Sequence, residues 1–440
     1  MAQESSAYDG DILIKNGRII TVDSQNRIIE NGAVLIKSDT IIKIGTIDEL
    51  ANINAECVID ANKGIIMPGL INTHTHLPMS LFRGFADDMP LMTWLNDYMF
   101  KLESKYVDPA TVRCGTLLSC AEMLLSGTTT CCDGYFHEEI VASAVYESGI
   151  RAVLGQGVID FPAPGVVDPL LNIENAIDYA RRFKNKYPMI TSSIFCHSPY
   201  TCSKETLINA KQAARDIGVL FQIHVAETRS EYEHIRQQYQ KTATEYLDGL
   251  GLLDKDTLLV HAVWVSDSDI EIIKQRGSSI SHNPESNMKL ASGIAPVLDF
   301  IRAGIHTGLG TDGSASNNNL DMFTEMDSAA KLHKVHRCDV GVLDVLSVLR
   351  MATIEGARAI GLGEITGSIE IGKRADVIIL DTHKPHMVPM YHPVSHLVYS
   401  ATGADVRDVI IDGKIVVKDR KIKTLDLDTI LFNAADFAGH

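Results

Sequence analysis

The sequence contains little that would place the chain outside the cell or in a membrane. No run approaches the roughly 18 consecutive apolar residues that a membrane-spanning helix needs. Residues 1–10 contain no basic segment followed by an apolar one, so we expect no secretory signal. The eight cysteines form no CxxC pair: Cys57, Cys114, Cys120, Cys131, Cys132, Cys196, Cys202 and Cys338. Most of them stand in apolar segments, which is typical of free thiols in a reducing cytoplasm, the location that we expect.

The chain is also short of basic residues. It has 40 lysines and arginines against 56 aspartates and glutamates, which gives a net charge of −16. Affinity for a phosphate backbone or for an anionic membrane comes from a surface of lysine and arginine. We therefore expect neither nucleic acid nor a membrane as a partner, and a small neutral or cationic substrate fits the charge balance better.

Short apolar strands occur near both ends of the chain. The predicted strands there are 12–14, 18–22, 32–36, 40–45, 375–380, 406–413 and 414–417. Turn signals such as Asn31-Gly32 and Asp412-Gly413 separate them. The pattern predicts one small β-sandwich built from both ends, residues 1–67 and 366–440, around a different middle domain, residues 68–365.

The middle of the chain alternates apolar strands with helical stretches. The predicted strands are 66–72, 128–133, 151–158, 191–196, 220–225, 257–262, 278–281 and 305–310. The predicted helices are 109–126, 138–148, 173–186, 203–216, 266–275 and 297–303. Eight such units fit an α/β fold, a (β/α)8 barrel. The rival fold, an open doubly wound sheet, would leave the polar groups at nearly every strand end unexplained.

Polar side chains that suit a metal stand at the carboxyl ends of these strands, where barrels of this class carry their active sites. The first strand ends in His74 and His76, whose side chains share a face because they are two positions apart. His224 ends the fifth strand, His261 the sixth and Asp312 the eighth. Imidazole nitrogens and a carboxylate oxygen suit zinc, and also iron or nickel.

A lone histidine is more often a satisfied polar residue than a ligand, so the grouping matters more than any one residue. Of 16 histidines, six fall at predicted strand ends on this face: His74, His76, His197, His224, His261 and His282. That clustering favours a metal site.

Several motifs at these positions resemble those of the amidohydrolase superfamily. They are 68–76, 224–227, His261, 310–312 and the closing segment 367–377. The resemblance covers nearly the whole chain. It implies a distorted (β/α)8 barrel with a β-sandwich formed by both termini, which agrees with the pattern of strands and helices.

The same resemblance implies one divalent metal ion per chain. Members with two ions usually carry a carboxylated lysine or a glutamate at the end of the fourth strand, and 194–197 contains neither. The implied ligands are His74, His76, His224 and Asp312. Zinc is the favoured ion, with iron or nickel as alternatives.

Shorter strings are similar to the 5-methylthioadenosine/S-adenosylhomocysteine deaminases: 81–84, 87–88, 90–95, 102–103 and 286–293. This resemblance implies that Trp94 packs near a sugar, that Glu103 accepts hydrogen bonds from ribose hydroxyls and that His197 contacts a purine ring. Each residue also has a plain structural interpretation, with Trp94 in the core and Glu103 on a solvated helix face.

The chemistry implied is hydrolytic removal of the 6-amino group of an adenine nucleoside. A metal lowers the pKa of a bound water to about 7. Glu227 would donate a proton to purine N1 while water attacks C6, and ammonia would leave. Either Asp312 or His261 would take the first proton from water. A carboxyl that donates at neutral pH must be protonated, so burial is expected to raise the pKa of Glu227.

The chain departs from that family's pattern where the 5′ tail of the substrate would bind. Members that act on S-adenosylhomocysteine bind its carboxylate with arginine, but 159–168 contains none and Arg151 stands at the start of its strand. We expect an apolar 5′ environment built from Met79, Phe82, Met89, Phe161 and Pro162. The prediction is therefore good turnover of 5′-methylthioadenosine and adenosine, and poorer turnover of S-adenosylhomocysteine. An arginine from a neighbouring subunit would change this, since we expect a homo-oligomer.

Three alternatives stay open at this point. The same metal and acid would serve hydrolysis of another amino- or chloro-substituted ring, such as an s-triazine or a guanine-like base. Trp94 and Glu103 favour a nucleoside, because a bare base has no diol to bind. A dinuclear ring-opening amidase is disfavoured by the fourth strand, and a non-catalytic barrel by the complete set of ligands and acid.

Overall fold

The computed structural model describes residues 9–437, whose strands form two sheets. In chain order the strands are β1 (Gly10–Ile20), β2 (Ile28–Lys37), β3 (Thr40–Thr46), β4 (Ala55–Asp60), β5 (Ile65–Pro68), β6 (Leu70–Thr75), β7 (Thr128–Tyr135), β8 (Arg151–Val158), β9 (Ile190–Cys196), β10 (Leu220–Val225), β11 (Thr257–His261), β12 (Ser279–His282), β13 (Thr307–Leu309), β14 (Val377–Leu380), β15 (Val406–Ile411), β16 (Lys414–Lys418) and β17 (Lys421–Ile422).

The helices follow mainly between and after the strands of the second sheet. They are α1 (Leu91–Thr93), α2 (Phe100–Tyr106), α3 (Pro109–Leu125), α4 (Glu138–Ser148), α5 (Asn172–Phe183), α6 (Lys204–Ile217), α7 (Arg229–Tyr239), α8 (Ala243–Gly249), α9 (Asp267–Arg276), α10 (Pro284–Lys289), α11 (Val297–Ala303), α12 (Ser314–Asn317), α13 (Met322–Arg337), α14 (Val345–Met351), α15 (Ile354–Ala359), α16 (Pro393–Tyr399) and α17 (Leu427–Phe437). A π-helical turn, Trp94–Met99, joins α1 to α2, and 3-10 turns cover Leu77–Phe82, Pro169–Leu171, Pro385–Met387 and Gly403–Asp405. Within residues 9–437, the helices are too short or too polar to cross a membrane.

The strands β6 to β13 form an eight-stranded parallel sheet in chain order, as successive βα units require. The sheet closes between its first and last strands through groups that follow β13. The Asp312 N–H donates to the His74 carbonyl at 2.9 Å, and the Asn72 side chain exchanges hydrogen bonds with Thr311 at 2.7 and 3.0 Å. The sequence-based prediction of a (β/α)8 barrel is confirmed.

Ordinary capping chemistry sets the ends of the barrel helices. The Ser203 and Thr228 side chains accept hydrogen bonds from the backbone N–H groups of Thr206 and Glu231, each at 3.2 Å. Helix α6 ends at Gly218 with φ +72°, a left-handed conformation that glycine adopts without steric cost. These caps fix where each helix ends and the chain turns back into the next strand.

The other sheet has nine strands from both ends of the chain, in the order β17-β16-β15-β14-β5-β1-β2-β3, with β4 beside β1. Strand β3 lies at one edge of this sheet, and backbone hydrogen bonds join it to the segment before β14. The Ile41 N–H donates to the Lys373 carbonyl, and the Ala375 N–H donates to the Asp39 carbonyl. A core of isoleucine and valine, including Ile14, fills the space inside. This agrees with the predicted assembly of both ends.

The first predicted barrel strand, 66–72, is in fact two strands in different sheets. Ile65–Pro68 pairs with β14 and β1, whereas Leu70–Thr75 begins the barrel. Gly69 separates them because a Cβ there would lie 2.0 Å from the Thr129 hydroxyl oxygen. The chain therefore passes from one sheet to the other at a position that only glycine fits.

A buried ion network joins the two sheets at the amino end of the barrel. The Arg151 guanidinium on β8 donates to Asp376 at 2.8 and 3.1 Å and to Asp412 at 2.9 Å. Arg151 thus points away from the carboxyl ends of the strands, as predicted. The cysteines are free thiols, and Cys338 is exposed rather than buried.

Candidate metal centre and active site

Four side chains from three barrel strands converge at the carboxyl face: His74, His76, His224 and Asp312. One ligand atom from each lies within 4.8 Å of all the others. His74 Nε2 is 3.0 Å from His224 Nε2 and 3.5 Å from Asp312 Oδ1, and His76 Nε2 is 3.3 Å from that oxygen. Zinc binds its ligands at about 2.0–2.1 Å, so these separations of 3.0, 3.5 and 3.3 Å fit a single ion of that size.

Neighbouring groups orient these ligand atoms. His76 Nδ1 is 2.6 Å from the Gly134 carbonyl oxygen, to which it donates, so Nε2 is the ring nitrogen that faces the ligand set. The second carboxylate oxygen of Asp312 accepts hydrogen bonds from the Ser286 hydroxyl at 2.6 Å and the Ser316 hydroxyl at 2.8 Å. Asp312 Oδ1 is thereby left to face the histidines.

The protonation states of this set suit a cation. Burial lowers the pKa of His74 to about 4 and holds that of His224 well below its usual value. Burial also acts against charge on His76, but the Asp312 carboxylate outweighs it and raises the pKa of His76 to about 9. The pKa of Asp312 stays well below its usual value because His74 and His76 outweigh the effect of burial. The carboxylate is therefore available, and a divalent ion would replace the proton of His76.

Glu227 lies two residues beyond β10, beside this set, and its side chain is buried. Burial raises the pKa of Glu227 to about 8, with a further contribution from the Asp312 charge. Its carboxyl is therefore mostly protonated at neutral pH and can donate a proton, as the sequence led us to expect.

His261 ends β11 on the same face, with its Nε2 3.8 Å from a Glu227 carboxyl oxygen. The side chain amide of Asn287 holds the other ring nitrogen, since Asn287 Oδ1 is 2.9 Å from His261 Nδ1. That contact makes Nδ1 the protonated nitrogen and leaves Nε2 as an acceptor. Burial lowers the pKa of His261, so the imidazole is neutral at neutral pH.

A cavity opens over these residues and extends beneath the segment that contains α1 and α2. The space, including its opening to solvent, is about 760 Å³. Trp94, Glu103, His197 and Glu227 all line it. Most of the remaining wall is apolar: Met79, Leu91, Leu95, Met99, Phe100, Phe136, Val158, Ile159, Phe195 and Leu290.

Glu103 is a buried residue of α2 rather than one on a solvated helix face. Its side chain lines the cavity, and one carboxylate oxygen accepts a hydrogen bond from the Tyr135 hydroxyl at 2.6 Å. Burial raises the pKa of Glu103 to about 7, and the Tyr135 hydrogen bond opposes that rise. A carboxylate held at one oxygen in an otherwise apolar wall can accept hydrogen bonds from a polar ligand at the other.

His197 follows β9 and also faces the cavity. Its Nδ1 lies 3.0 Å from the Thr201 hydroxyl, and burial lowers the pKa of its ring to about 3. The ring is therefore neutral, with Nε2 available to a ligand. His282, by contrast, is outside the ligand set and the cavity lining, and it pairs with His333, Nε2 to Nε2, at 3.3 Å.

Sequence reasoning missed several residues of the wall. Tyr135 and Phe195 stand at or next to the carboxyl ends of β7 and β9, which is the signal that could have found them. Of the five residues expected around a 5′ group, Met79 lines the cavity and Phe161 packs behind Phe100, with ring centroids 5.1 Å apart. Phe82, Met89 and Pro162 do not line it. Among the lining residues there is no lysine or arginine.

Comparison with known proteins gives a consistent result. Residues 65–416 match the amidohydrolase family. The chain is 44% identical over 420 residues to 5-methylthioadenosine/S-adenosylhomocysteine deaminase 1 of Syntrophus aciditrophicus (strain SB), covering 94% of each chain. It is 43% identical over 432 residues to a 5′-deoxyadenosine deaminase of Methanosarcina mazei, covering 96% of each. A solved structure of a Xanthomonas campestris adenosine deaminase with bound zinc superposes with a TM-score of 0.95 at 34% identity, covering 98% of each chain.

Proposed function

The chain belongs to the amidohydrolase family, and from that premise we propose that it is a metal-dependent deaminase of adenine nucleosides. The reaction replaces the 6-amino group by oxygen and releases the inosine analogue and ammonia. One observation carries the proposal: a buried carboxyl group, that of Glu227, stands beside a four-ligand set in a cavity that also holds Glu103. The names of the relatives, which are deaminases of adenine nucleosides, support it.

We assign the metal to His74, His76, His224 and Asp312, and we propose zinc as the ion. The distances between the donor atoms fit one ion of that size. When bound, such an ion supplies Lewis-acid activation of water at neutral pH. The zinc bound to the Xanthomonas campestris adenosine deaminase, a relative at 34% identity, supports this choice.

The residues around the metal site each have a different role in the proton transfers. Glu227 donates its proton to purine N1 while water attacks C6, which breaks the aromaticity of the ring. His261 Nε2 is an acceptor, because Nδ1 donates to Asn287, and it holds the attacking water. Asp312, with one oxygen held by two serine hydroxyls and the other facing the site, is the second candidate to receive the water proton. The proton taken from water then passes to the amino group, ammonia leaves, and the proton of the new hydroxyl group returns to Glu227.

The rest of the substrate is held by the cavity wall. His197 Nε2 contacts the purine ring, Trp94 packs near the sugar, and Glu103 accepts hydrogen bonds from the ribose hydroxyls. Because most of the wall is apolar and its lining contains no lysine or arginine, an uncharged 5′ substituent fits it better than a carboxylate. A desolvated charge without a partner costs several kcal/mol. We therefore propose 5′-methylthioadenosine and adenosine as good substrates and S-adenosylhomocysteine as a poorer one.

The test is ammonia release by the purified, metal-loaded protein over a panel of compounds. The panel contains 5′-methylthioadenosine, adenosine, S-adenosylhomocysteine, guanine and an aminated s-triazine. Turnover of the first two is expected to exceed that of the others. Activity restricted to guanine or the triazine would contradict the proposal and favour the bare-ring alternative, and a preference for S-adenosylhomocysteine would contradict the argument about its tail.

A further inference from the structure

Another buried glutamate, Glu231, lies one helical turn beyond Glu227 and takes no part in the chemistry described above. It occupies the third position of α7, where a capping-box glutamate reaches back to the N–H of the capping residue. Its carboxylate instead reaches past Thr228. One oxygen accepts from the Ala226 N–H and the other from the Glu227 N–H, each at 2.8 Å.

The backbone that Glu231 holds is in an unusual conformation. Ala226 has φ +51°, in the left-handed region that residues with a Cβ rarely adopt. The Ala226 carbonyl accepts from the backbone N–H groups of Val263 and Trp264 at 3.0 and 2.8 Å. The turn is therefore held from both sides, by the segment after β11 through its carbonyl and by Glu231 through its two N–H groups. Such conformations persist where surrounding contacts impose them.

We propose that Glu231 is the positioning residue for Glu227: its carboxylate fixes the turn that aims the catalytic acid and places a negative charge next to it. This inference rests on the proposed function. The charged and titratable groups that face Glu231 are Glu227, His261 and Tyr200. Burial raises the pKa of Glu231 to about 7, and its two backbone donors oppose that rise. Ionised Glu231 favours the neutral, proton-donating form of Glu227, since like charges disfavour each other.

The chain offers a matched control. Glu245 is the third residue of α8 and forms an ordinary capping box, accepting from the Thr242 N–H at 2.8 Å. It caps a helix in the usual way and does not line the cavity. Glu231→Gln and Glu245→Gln each remove one carboxylate charge and one acceptor at the start of a helix, and only the first touches the turn that holds Glu227.

The experiment compares these variants with the wild type, all loaded with metal. For Glu231→Gln we expect kcat to fall about 10- to 100-fold with KM changed much less, because misplacing a reacting group affects the chemical step. The alkaline limb of the pH profile is expected to move to lower pH, since loss of the neighbouring charge lowers the pKa of Glu227. Glu245→Gln is expected to keep the wild-type kcat and profile. Glu231→Asp, which keeps the charge, is expected to recover part of the kcat.

Hydrogen–deuterium exchange over residues 224–229 gives a measurement that does not depend on activity. Faster exchange in Glu231→Gln than in the wild type, with no change there in Glu245→Gln, supports the inference. Equal losses of thermal stability in the two Gln variants, with unchanged kcat, pH profile and exchange, overturn it. A wild type that releases no ammonia from any nucleoside overturns the proposed function instead, and the exchange comparison still decides whether Glu231 holds the turn.

Discussion

At the scale of single residues, Glu227 gives the sharpest test of the proposed chemistry. Glu227→Gln keeps the shape of the side chain but cannot pass a proton to the ring, so we expect turnover to fall on the order of 10²–10⁴-fold. Metal content, measured by elemental analysis, is expected to stay at the wild-type level because Glu227 is outside the ligand set. His224→Ala, the contrasting variant, is expected to lose metal and activity together. Near-normal turnover in Glu227→Gln would remove it from the mechanism.

The pH dependence of the wild type follows from the same residue. Burial and the Asp312 charge raise the pKa of Glu227 to about 8. The proton that it donates is present below that pKa and lost above it, so kcat/KM is expected to decline as the pH rises through about 8. The measurement is kcat/KM for adenosine from about pH 6 to about pH 10, which spans the titration of the acid. A profile that is still rising at the alkaline end would show that the acid is another group.

A variant of Glu103 tests whether this residue binds the ribose of the substrate. Its carboxylate accepts from Tyr135 at one oxygen and is assigned to the ribose hydroxyls at the other. Loss of hydrogen bonds to a charged group costs about 1.5–3 kcal/mol, so Glu103→Gln is expected to lower kcat/KM for adenosine about 10- to 100-fold. The penalty is expected to be smaller for 2′-deoxyadenosine, which lacks one of the hydroxyls. Equal penalties for the two nucleosides would contradict the assignment.

At the scale of elements, the short helix α10 and the turn α12 hold Asp312. Ser286 on α10 and Ser316 on α12 donate to the same carboxylate oxygen. Groups that orient a ligand typically contribute about 10- to 100-fold in metal affinity, and we expect a loss of that size in the double variant Ser286→Ala/Ser316→Ala, measured by competition with a chelator. The control is Ser192→Ala, which removes a buried hydroxyl that donates to the Ala180 carbonyl. A similar loss in both proteins would refute this role.

The elements that carry the metal ligands could be predicted because their apolar runs end abruptly in polar residues. The prediction for β10, 220–225, matches the observed strand, and His224 follows from it. The helices between Leu91 and Tyr106 are harder to predict from the sequence, because no glycine marks where α1, its π turn and α2 begin or end. Trp94 and Glu103 were therefore predicted from resemblance alone. Tyr135 was missed because an aromatic residue at a strand end has the same local pattern whether it faces the core or a cavity.

At the scale of the whole molecule, the common sheet of the two chain ends was predictable because both ends consist of short strands with turn residues between them. The contacts that join this sheet to the barrel were not, since Arg151 and Asp376 are 225 positions apart and no periodicity relates them. The domain boundaries at 67/68 and 365/366, the homo-oligomer and the cytoplasmic location stay predictions. The oligomer and the location depend on something other than the contacts within one chain.

The network around Arg151 gives a prediction about the stability of the whole molecule. The Arg151, Asp376 and Asp412 side chains are 6%, 0% and 16% exposed, so Arg151→Met leaves two carboxylates without their buried cation. Removing one partner from such a network costs about 3–5 kcal/mol, and we expect a clearly lower thermal unfolding midpoint. Turnover at room temperature is expected to persist, because Arg151 begins β8 and the cavity lies at its other end.

The matched control is Arg182→Met, which breaks the exposed pair with Asp178, where the two side chains are 56% and 61% exposed. Exposed pairs contribute about 0–1 kcal/mol because water and salt screen them. The midpoint of this variant is therefore expected to stay close to that of the wild type. Equal midpoints for the two variants would mean that the buried network does not join the sheets energetically, and that apolar contacts alone hold them together.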